Sequence, residues 1–403
     1  MDAFVARQPI FDRQRNVYGY ELLFRSGTDN HFSGDNGDHA SSAVISDSLH
    51  VHGFDALTGG KKGFINITRS LLMQDLITVL PSNRTVVELL ENIEPDAQVI
   101  EACRALRKAG YLVAMDDFVF EPKFEQLLHE VDIIKIDFMG TTPAQRLAFS
   151  KSFAPNGTKL LAEKVETHEE FKEAMDLGYA YFQGFFFCKP QMVQGKDVPT
   201  SKLGYLRFLQ KVNEPHVDFD QLEAIIKSEV SLSFKLLKYL NSAGFGLRVK
   251  VTSLKQALML LGVRPLRKWA SLMALSSLRG DKPMELLITC LVRARFCELA
   301  GLQSGLADRE LDLFLTGMLS IIDALVDRSM GAVLSEINIA DDVKRTLLGE
   351  KTSLSNVYNL VLAYERGRWD EISRLSKDLS LGSEHLSKAY QGAIAWAEQM
   401  SPS

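Results

Sequence analysis

The most constraining feature of this 403-residue sequence is a change in its hydrophobic pattern near residue 200. Before that point, short β-branched and aromatic runs alternate with amphipathic stretches, whereas after it the apolar residues recur at helical spacing. Strands that alternate with helices favour a parallel sheet with crossover helices. We therefore expect an α/β domain followed by an all-α domain, with residues 1–192 in the first, a linker at 193–203, and residues 204–403 in the second.

The first half carries eight candidate strands. The first two should form a hairpin, because Asp12–Asn16 between them is too short for a crossover helix. Eight strands in about 190 residues fit a (β/α)₈-type, TIM-like barrel with one strand out of the usual order. An open doubly wound sheet is the alternative, although no glycine-rich fingerprint follows any strand. The predicted strands cover residues 4–11, 17–25, 63–68, 85–90, 112–118, 133–138, 160–165 and 181–187.

Composition and charge exclude several classes of protein. The formal net charge is −5, so we do not expect binding to nucleic acid or to an anionic membrane surface driven by bulk charge. The four cysteines stand far apart and predict neither a disulfide framework nor a zinc site. No apolar run approaches the roughly 20 residues that a membrane span needs. We expect a soluble, cytoplasmic protein.

Carboxylates recur at the downstream ends of the predicted strands, which in a barrel share the rim where chemistry takes place. So many acids on one rim would repel each other and could not all stay ionised without cations. Oxygen donors without histidine favour Mg²⁺ or Mn²⁺, and two such ions could activate water against a phosphodiester. Each acid alone is more often a helix cap or a solvated charge, but the repetition favours a site. The acids are Glu21, Glu88, Glu91, Asp116, Asp117, Asp137, Glu163 and Glu166, and Asn66, Lys135 and Gln183 accompany them.

These motifs resemble the EAL domain family, phosphodiesterases that hydrolyse the bacterial second messenger cyclic di-GMP. The similarity covers about residues 1–192 and places several motifs in the family's order. The matching segments are Arg7-Gln8-Pro9-Ile10, Glu21-Leu22-Leu23-Phe24-Arg25, Phe64-Ile65-Asn66, Glu88-Leu89-Leu90-Glu91, Asp116-Asp117-Phe118, Lys135-Ile136-Asp137, Glu163-Lys164-Val165-Glu166 and Gln183-Gly184-Phe185.

The resemblance implies a fold, a ligand and a role for each residue. The fold would be the family's modified barrel with one antiparallel strand, and the ligand would be cyclic di-GMP. The cofactors would be two Mg²⁺ or Mn²⁺ ions, with Ca²⁺ able to replace them without turnover. The metal ligands would be Glu21, Asn66, Glu88, Asp116 and Asp117; Lys135 would lie near the metal-bridging water and Glu163 would be a ligand or general base; Gln8, Arg25 and Gln183 would contact or position the ligand; and Glu91, Asp137 and Glu166 would support the site.

Two departures from the family pattern predict impaired catalysis. Active members have a glycine- and serine-rich loop after the paired aspartates, whereas residues 119–124 here contain no glycine. Lys164 also replaces a glycine of the family beside the metals. Because glycine reaches backbone conformations that these residues cannot adopt cheaply, we expect turnover to be weak, conditional or absent while ligand binding survives. The alternatives are a competent phosphodiesterase that produces the linear dinucleotide pGpG, and a scaffold that no longer binds the nucleotide.

The second half resembles the HDOD domain, a helical bundle related to HD phosphohydrolases. Residues 226–243 and 251–262 carry the similarity, and Asn241-Ser242-Ala243-Gly244-Phe245-Gly246 is its most specific piece. HD enzymes need adjacent histidine and aspartate residues for their metals, and the corresponding stretch at 316–323 contains no histidine. The resemblance therefore implies a non-catalytic regulatory domain that binds an unidentified protein partner. Since EAL relatives often dimerise through the barrel, a homodimer is a further expectation.

Overall fold

The computed structural model describes residues 3–26, 53–74, 76–116, 122–153, 157–191, 200–214, 216–228, 258–259, 261–280 and 282–400. Residue contacts divide the chain into two compact units. The barrel unit comprises residues 1–189 and 360–399, and the helical unit comprises residues 190–359 and 400–403. The predicted division into 1–192, 193–203 and 204–403 stays a prediction. The two units differ from it in two respects: residues 360–399 group with the barrel, and the predicted linker falls in the helical unit, where a helix begins at Thr200.

Eight strands form a closed barrel in the order β1 to β8. β1 runs antiparallel to both of its neighbours, β2 and β8, and the other neighbouring pairs are parallel. The predicted hairpin is thus confirmed, and its first strand, β1, is also the strand that departs from the usual parallel order. The strands are β1 Ala3–Asp12, β2 Val17–Ser26, β3 Lys62–Ile67, β4 Thr85–Leu89, β5 Leu112–Met115, β6 Ile133–Asp137, β7 Lys159–Glu163 and β8 Tyr181–Gln183.

The last strand is shorter than predicted. Gly184 follows it with φ 139°, and a Cβ there would lie 2.1 Å from the carbonyl oxygen of Val165. Only glycine allows this close approach, and the chain then turns into a short 3₁₀ helix at Phe185–Cys188.

Short helices connect the strands, and their ends follow the sequence signals. Asp96 caps α3 by accepting the backbone N–H groups of Gln98 and Val99, each at 3.0 Å. Thr167 and Glu170 form the predicted capping box at the start of α6. The helices are α1 Phe54–Thr58, α2 Arg69–Met73, α3 Ala97–Lys108, α4 Glu125–Leu128, α5 Pro143–Phe153 and α6 His168–Asp176.

The barrel interior changes from apolar to polar along the strands. A buried cluster of Ile10, Phe64, Val86, Ala114, Ile133 and Leu161 fills one level of the barrel. Side chains two residues apart on a strand share a face. On β3 to β7, the residue two positions beyond each member of the apolar cluster therefore also points into the barrel. Those residues are Asn66, Glu88, Asp116, Lys135 and Glu163, and the apolar level therefore forms the floor beneath them.

After residue 199, the described residues form eleven α-helices and no strand. Trp269 belongs to one core cluster in the helical unit and packs against Phe208 with a ring separation of 6.1 Å. Most of the segment that carries the HDOD resemblance, including Asn241–Gly246, lies outside the described residues. The helices are α7 Thr200–Val212, α8 Phe219–Ser228, α9 Val263–Leu278, α10 Met284–Gln303, α11 Glu310–Leu319, α12 Ile322–Val326, α13 Met330–Glu336, α14 Asp341–Leu347, α15 Ser355–Glu365, α16 Trp369–Asp378 and α17 Ser383–Met400.

Among all these described helices, none combines the length and the apolar character needed to cross a bilayer.

Candidate active site

Lys135 is the centre of the candidate site and is completely buried. Its ammonium nitrogen lies within ion-pair distance of four carboxylates that come from four different strands or their ends. The distances from Lys135 Nζ are 2.9 Å to Glu88 Oε1, 2.8 Å to Asp116 Oδ1, 2.9 Å to Glu163 Oε1 and 3.6 Å to Glu21 Oε2. The barrel therefore brings five of the predicted site residues into one cluster at the carboxyl ends of its strands.

Two amides hold the Glu21 carboxylate in place. The Asn66 side chain donates to Glu21 Oε1 at 3.0 Å, and the Gln183 side chain donates to Glu21 Oε2 at 2.6 Å. The same Gln183 nitrogen also donates to Gln8 Oε1 at 3.1 Å. These contacts add Asn66, Gln183 and Gln8 to the five clustered residues. They connect the antiparallel strand β1 to the parallel strands on either side of the hairpin.

The charges in this cluster are unequal, because four carboxylates surround a single ammonium group. Burial raises the pKa of Glu88 well above its ordinary value, and it raises the pKa of Glu163 to about 8, although Lys135 opposes both shifts. Burial would lower the pKa of Lys135, but the charges of Glu163 and its neighbours raise it above the ordinary value. Lys135 thus stays protonated, and the carboxylates carry the electrostatic cost of burial.

The donor set of the cluster suits a hard divalent cation. Six buried acceptor oxygens in the described part of the cluster have no hydrogen-bond partner, and two of them, Glu88 Oε1 and Asp116 Oδ1, lie within ion-pair distance of Lys135 Nζ instead. The other four are Asn66 Oδ1, Glu88 Oε2, Glu163 Oε2 and Gln183 Oε1. Buried acceptors in an acidic cluster are the chemistry that Mg²⁺, Mn²⁺ or Ca²⁺ recognises. No group of three His, Cys, Asp or Glu side chains within the described ranges is placed to hold a metal as it stands. We attribute this to Lys135 Nζ, which lies between the carboxylates.

Asp137 and Lys164 form a second, more exposed pair beside the cluster. Lys164 Nζ lies 2.6 Å from Asp137 Oδ2, and the backbone N–H groups of Met139 and Gly140 donate to Asp137 Oδ1. Although burial opposes it, these bonds lower the pKa of Asp137. Lys164 has φ 54°, a left-handed conformation that favours glycine. The structure therefore shows why a glycine suits this position, as the family pattern suggested.

Other predicted site residues lie elsewhere or outside the described ranges. Arg25 contacts Trp369 and Asp370 from the C-terminal helices, two residues to which the sequence analysis assigned no role. The side chain of Glu91 is exposed and that of Glu166 is half-buried. Asp117 and the altered loop at 119–121 lie outside the described residues, so the predicted loop defect stays a prediction.

Two protein-family models match the chain, the EAL domain at residues 38–190 and the HDOD domain at residues 198–328. YuxH of Bacillus subtilis, an uncharacterized protein, is 34% identical over 408 residues, which span 99% of both chains. CdgJ of Vibrio cholerae, a cyclic di-GMP phosphodiesterase, is 33% identical over 400 residues, covering 98% of this chain and 93% of its own. The chain is an EAL–HDOD protein.

The family membership and the closed barrel together confirm the predicted fold class. The EAL match begins at residue 38, so Gln8, Glu21 and Arg25 precede it, yet β1 and β2 complete the barrel. Among solved structures, the Bacillus subtilis YkuI protein, with an EAL domain in complex with cyclic di-GMP and calcium, aligns with a TM-score of 0.39. It is 21% identical, and the alignment covers 60% of this chain and 66% of that one. A similarity at this level assigns no residue roles.

Proposed function

We propose that this EAL–HDOD protein binds cyclic di-GMP in its barrel together with divalent cations, and that it hydrolyses the ligand weakly, conditionally or not at all. The observation that carries the proposal is the cluster of Glu21, Glu88, Asp116 and Glu163 around Lys135. An apolar floor encloses this cluster from one side, so the excess negative charge faces the rim of the barrel. A rim of this kind can accept cations and, with them, an anionic phosphodiester.

The proposed cations are Mg²⁺ or Mn²⁺, and Ca²⁺ would support binding without turnover. Glu21, Asn66, Glu88 and Asp116 would hold them, together with Asp117. When bound, the cations would lower the pKa of a water molecule and polarise the phosphodiester. Four oxygens of Asn66, Glu88, Glu163 and Gln183 that lack donors support this assignment.

The protein's own residues would position the ligand and move protons. Glu163 is a suitable general base in the hydrolytic reaction, because its carboxylate lies within the cluster, 2.9 Å from Lys135 Nζ. Lys135 would stabilise negative charge near the reacting phosphate. Arg25 would bind a phosphate through its planar guanidinium group, and Gln8 and Gln183 would fix the position of Glu21.

Two observations bear on turnover in opposite directions. Lys164 adopts a left-handed backbone conformation beside Glu163, which favours impaired catalysis because positioning errors at this strand end would reach the proposed base. The similarity to CdgJ, named a cyclic di-GMP phosphodiesterase, extends over nearly the whole chain and favours a competent enzyme that releases pGpG. We retain impaired turnover as the proposal and competent hydrolysis as the alternative.

We further propose that the HDOD region is a regulatory module that binds a protein partner, and that the protein works in the cytoplasm. Four buried cysteines without disulfides support a reducing compartment. The absence of histidine from residues 316–323 supports a non-catalytic role for the helical region. A homodimer stays a prediction.

Calorimetric titration of cyclic di-GMP in the presence of Ca²⁺, followed by product chromatography with Mn²⁺, tests the proposal. We expect binding that is micromolar or tighter, little or no pGpG, and loss of binding in Glu21→Ala because the cation site loses one of its proposed carboxylate ligands. Glu101→Gln removes an exposed carboxylate from α3 and is the matched control, which should bind as the wild type does. Steady turnover abolished by Glu21→Ala would replace the proposal with the enzyme alternative. No binding with any cation would leave a scaffold.

A further inference from the structure

The open end of the β1–β2 hairpin extends beyond the barrel. β1 pairs with β2 along its whole length, but it pairs with β8 only over Ile10–Asp12. β2 likewise pairs with β3 only over Gly19–Leu22. Residues 3–9 and 23–26 therefore continue past these sheet neighbours as a two-stranded ribbon. Phe4, Val5 and Ala6 on this ribbon are nevertheless buried, so another part of the barrel unit covers them.

The C-terminal segment, residues 360–399, provides this cover. The Phe4 ring lies 5.9 Å from the ring of Trp369 and 6.3 Å from that of Tyr364. Further along β1, the Arg7 backbone N–H donates to the Tyr390 hydroxyl at 3.3 Å. Neither family match includes this segment, since the HDOD match ends at residue 328. The segment is nonetheless an integral part of the barrel unit.

The same segment contacts Arg25, the residue that the proposed function assigns to phosphate binding. Phe4 and Arg25 are direct partners across the hairpin, which places Arg25 beside the aromatic cluster. The Arg25 guanidinium lies 6.0 Å from the centre of the Trp369 ring, and its Nη1 lies 3.9 Å from Asp370 Oδ1. Arg25 shares a strand face with Glu21, four residues away and so about 13 Å along β2.

We propose that Asp370 is a positioning residue of the ligand site, which holds the Arg25 guanidinium when no ligand is bound and competes with the ligand phosphate for it. This inference rests on the proposed binding of cyclic di-GMP. The Asp370 carboxylate and a phosphate oxygen are both anionic acceptors that suit the same guanidinium donors. Trp369 supports the guanidinium from its ring face, so the arginine stays ordered while the acceptor changes.

The geometry indicates that replacing the Asp370 carboxylate by a ligand phosphate on Arg25 costs little free energy. The Asp370 side chain is 76% exposed and the contact measures 3.9 Å, whereas the Arg25 side chain is only 18% exposed. An ion pair with one solvated partner is weak and is screened by salt. A phosphate carried by a bound dinucleotide can therefore displace Asp370, and the displacement reduces the ligand's affinity by a small factor.

Calorimetric titration of cyclic di-GMP in the presence of Ca²⁺, performed on the full-length protein, tests the competition. Asp370→Asn should bind about two- to five-fold more tightly than the wild type, and this gain should shrink as salt is raised. Asp370→Glu should restore most of the wild-type affinity because it returns the charge. Asp378→Asn is the matched control, since it removes one exposed carboxylate from the same helix, about 12 Å further along.

The outcomes separate the two proposals. Tighter binding by Asp370→Asn alone, with an unchanged melting temperature and a gain that vanishes in an Arg25→Ala background, supports the competition. Equal or weaker binding by Asp370→Asn, while the wild type binds, overturns the competition and leaves the proposed function intact. A wild type that does not bind the dinucleotide overturns both.

Discussion

The barrel unit and the helical unit each place a lysine among carboxylates, and the two clusters are built differently. Lys135 in the barrel is completely buried and faces four carboxylates with no second cation in the described contacts of the cluster. Lys268 in the helical unit is partly exposed and pairs with Glu298 and Glu310, while Arg295 adds a second cation at 2.6 Å from Glu298. The second cluster therefore has as many cations as anions.

This difference in charge balance indicates that the Lys268 cluster is a structural network, whereas the Lys135 cluster is a candidate cation site. Lys268, Glu298 and Glu310 lie on α9, α10 and α11, so their contacts join three helices within the helical unit. In the barrel, Lys135 leaves several acceptor oxygens without donors. A balanced network stabilises the packing of its helices, whereas an unbalanced one retains an electrostatic cost that bound protons or a further cation reduce.

The largest expected effect concerns Lys135. Lys135→Met should lower the free energy of unfolding by about 3–5 kcal/mol, because it leaves buried carboxylates without their cation. Millimolar Mg²⁺ or Ca²⁺ should restore about 2–3 kcal/mol if its concentration reaches about 100 times the dissociation constant. Urea denaturation with and without the cation measures both. A loss that the cation does not reduce would contradict our view of the cluster as a cation site.

A smaller effect is expected for the corresponding change in the helical unit. Lys268→Met should lower the free energy of unfolding by about 1–2 kcal/mol, because buried Glu298 keeps its bond to Arg295. The same urea series should show no recovery with Mg²⁺ or Ca²⁺, and cyclic di-GMP binding should not change. If Mg²⁺ or Ca²⁺ raised the free energy of unfolding equally in Lys135→Met and Lys268→Met, the Lys135 cluster would not differ from the Lys268 network as a cation site.

The smallest expected effect concerns Lys164. Lys164→Gly relieves the left-handed backbone conformation, a gain of about 1 kcal/mol, and loses an exposed pair with Asp137 of about 0.5 kcal/mol. Lys164→Ala loses the same pair without the backbone gain and is the matched control. Thermal denaturation should therefore place Lys164→Gly about 1 kcal/mol above Lys164→Ala. If backbone strain also limits turnover, only the glycine variant should release more pGpG.

The sequence predicted the barrel and most of its site because both depend on local patterns. Eight strands were expected and eight close the barrel among the described residues, and the period of two along each strand aligns Asn66, Glu88 and Lys135 above an apolar floor. Turn length alone predicted the antiparallel start, since the loop from Asp12 to Asn16 cannot hold a crossover helix. The residues that cluster around Lys135 were all predicted from strand-end positions and the family resemblance.

The covering of the hairpin by residues 360–399 could not be predicted in the same way. Helical periodicity in α16 and α17 indicates that each helix buries one face, but not which surface it buries that face against. Phe4 and Trp369 are more than 360 residues apart in sequence, and no local signal connects them. For the same reason, nothing in the sequence indicates that Asp370 contacts Arg25.

The packing of β1 against helices α15 to α17 also affects when the barrel can finish folding. Phe4 and Arg7 in β1 contact Trp369 and Tyr390, which the ribosome adds more than 360 residues later. At about 5–20 residues per second, residues 190–359, which separate the two parts of the barrel unit, take about 9–34 s to emerge. During this interval Phe4 lacks the aromatic side chains that cover it in the folded barrel unit, so we expect β1 of the nascent chain to be a chaperone-binding segment.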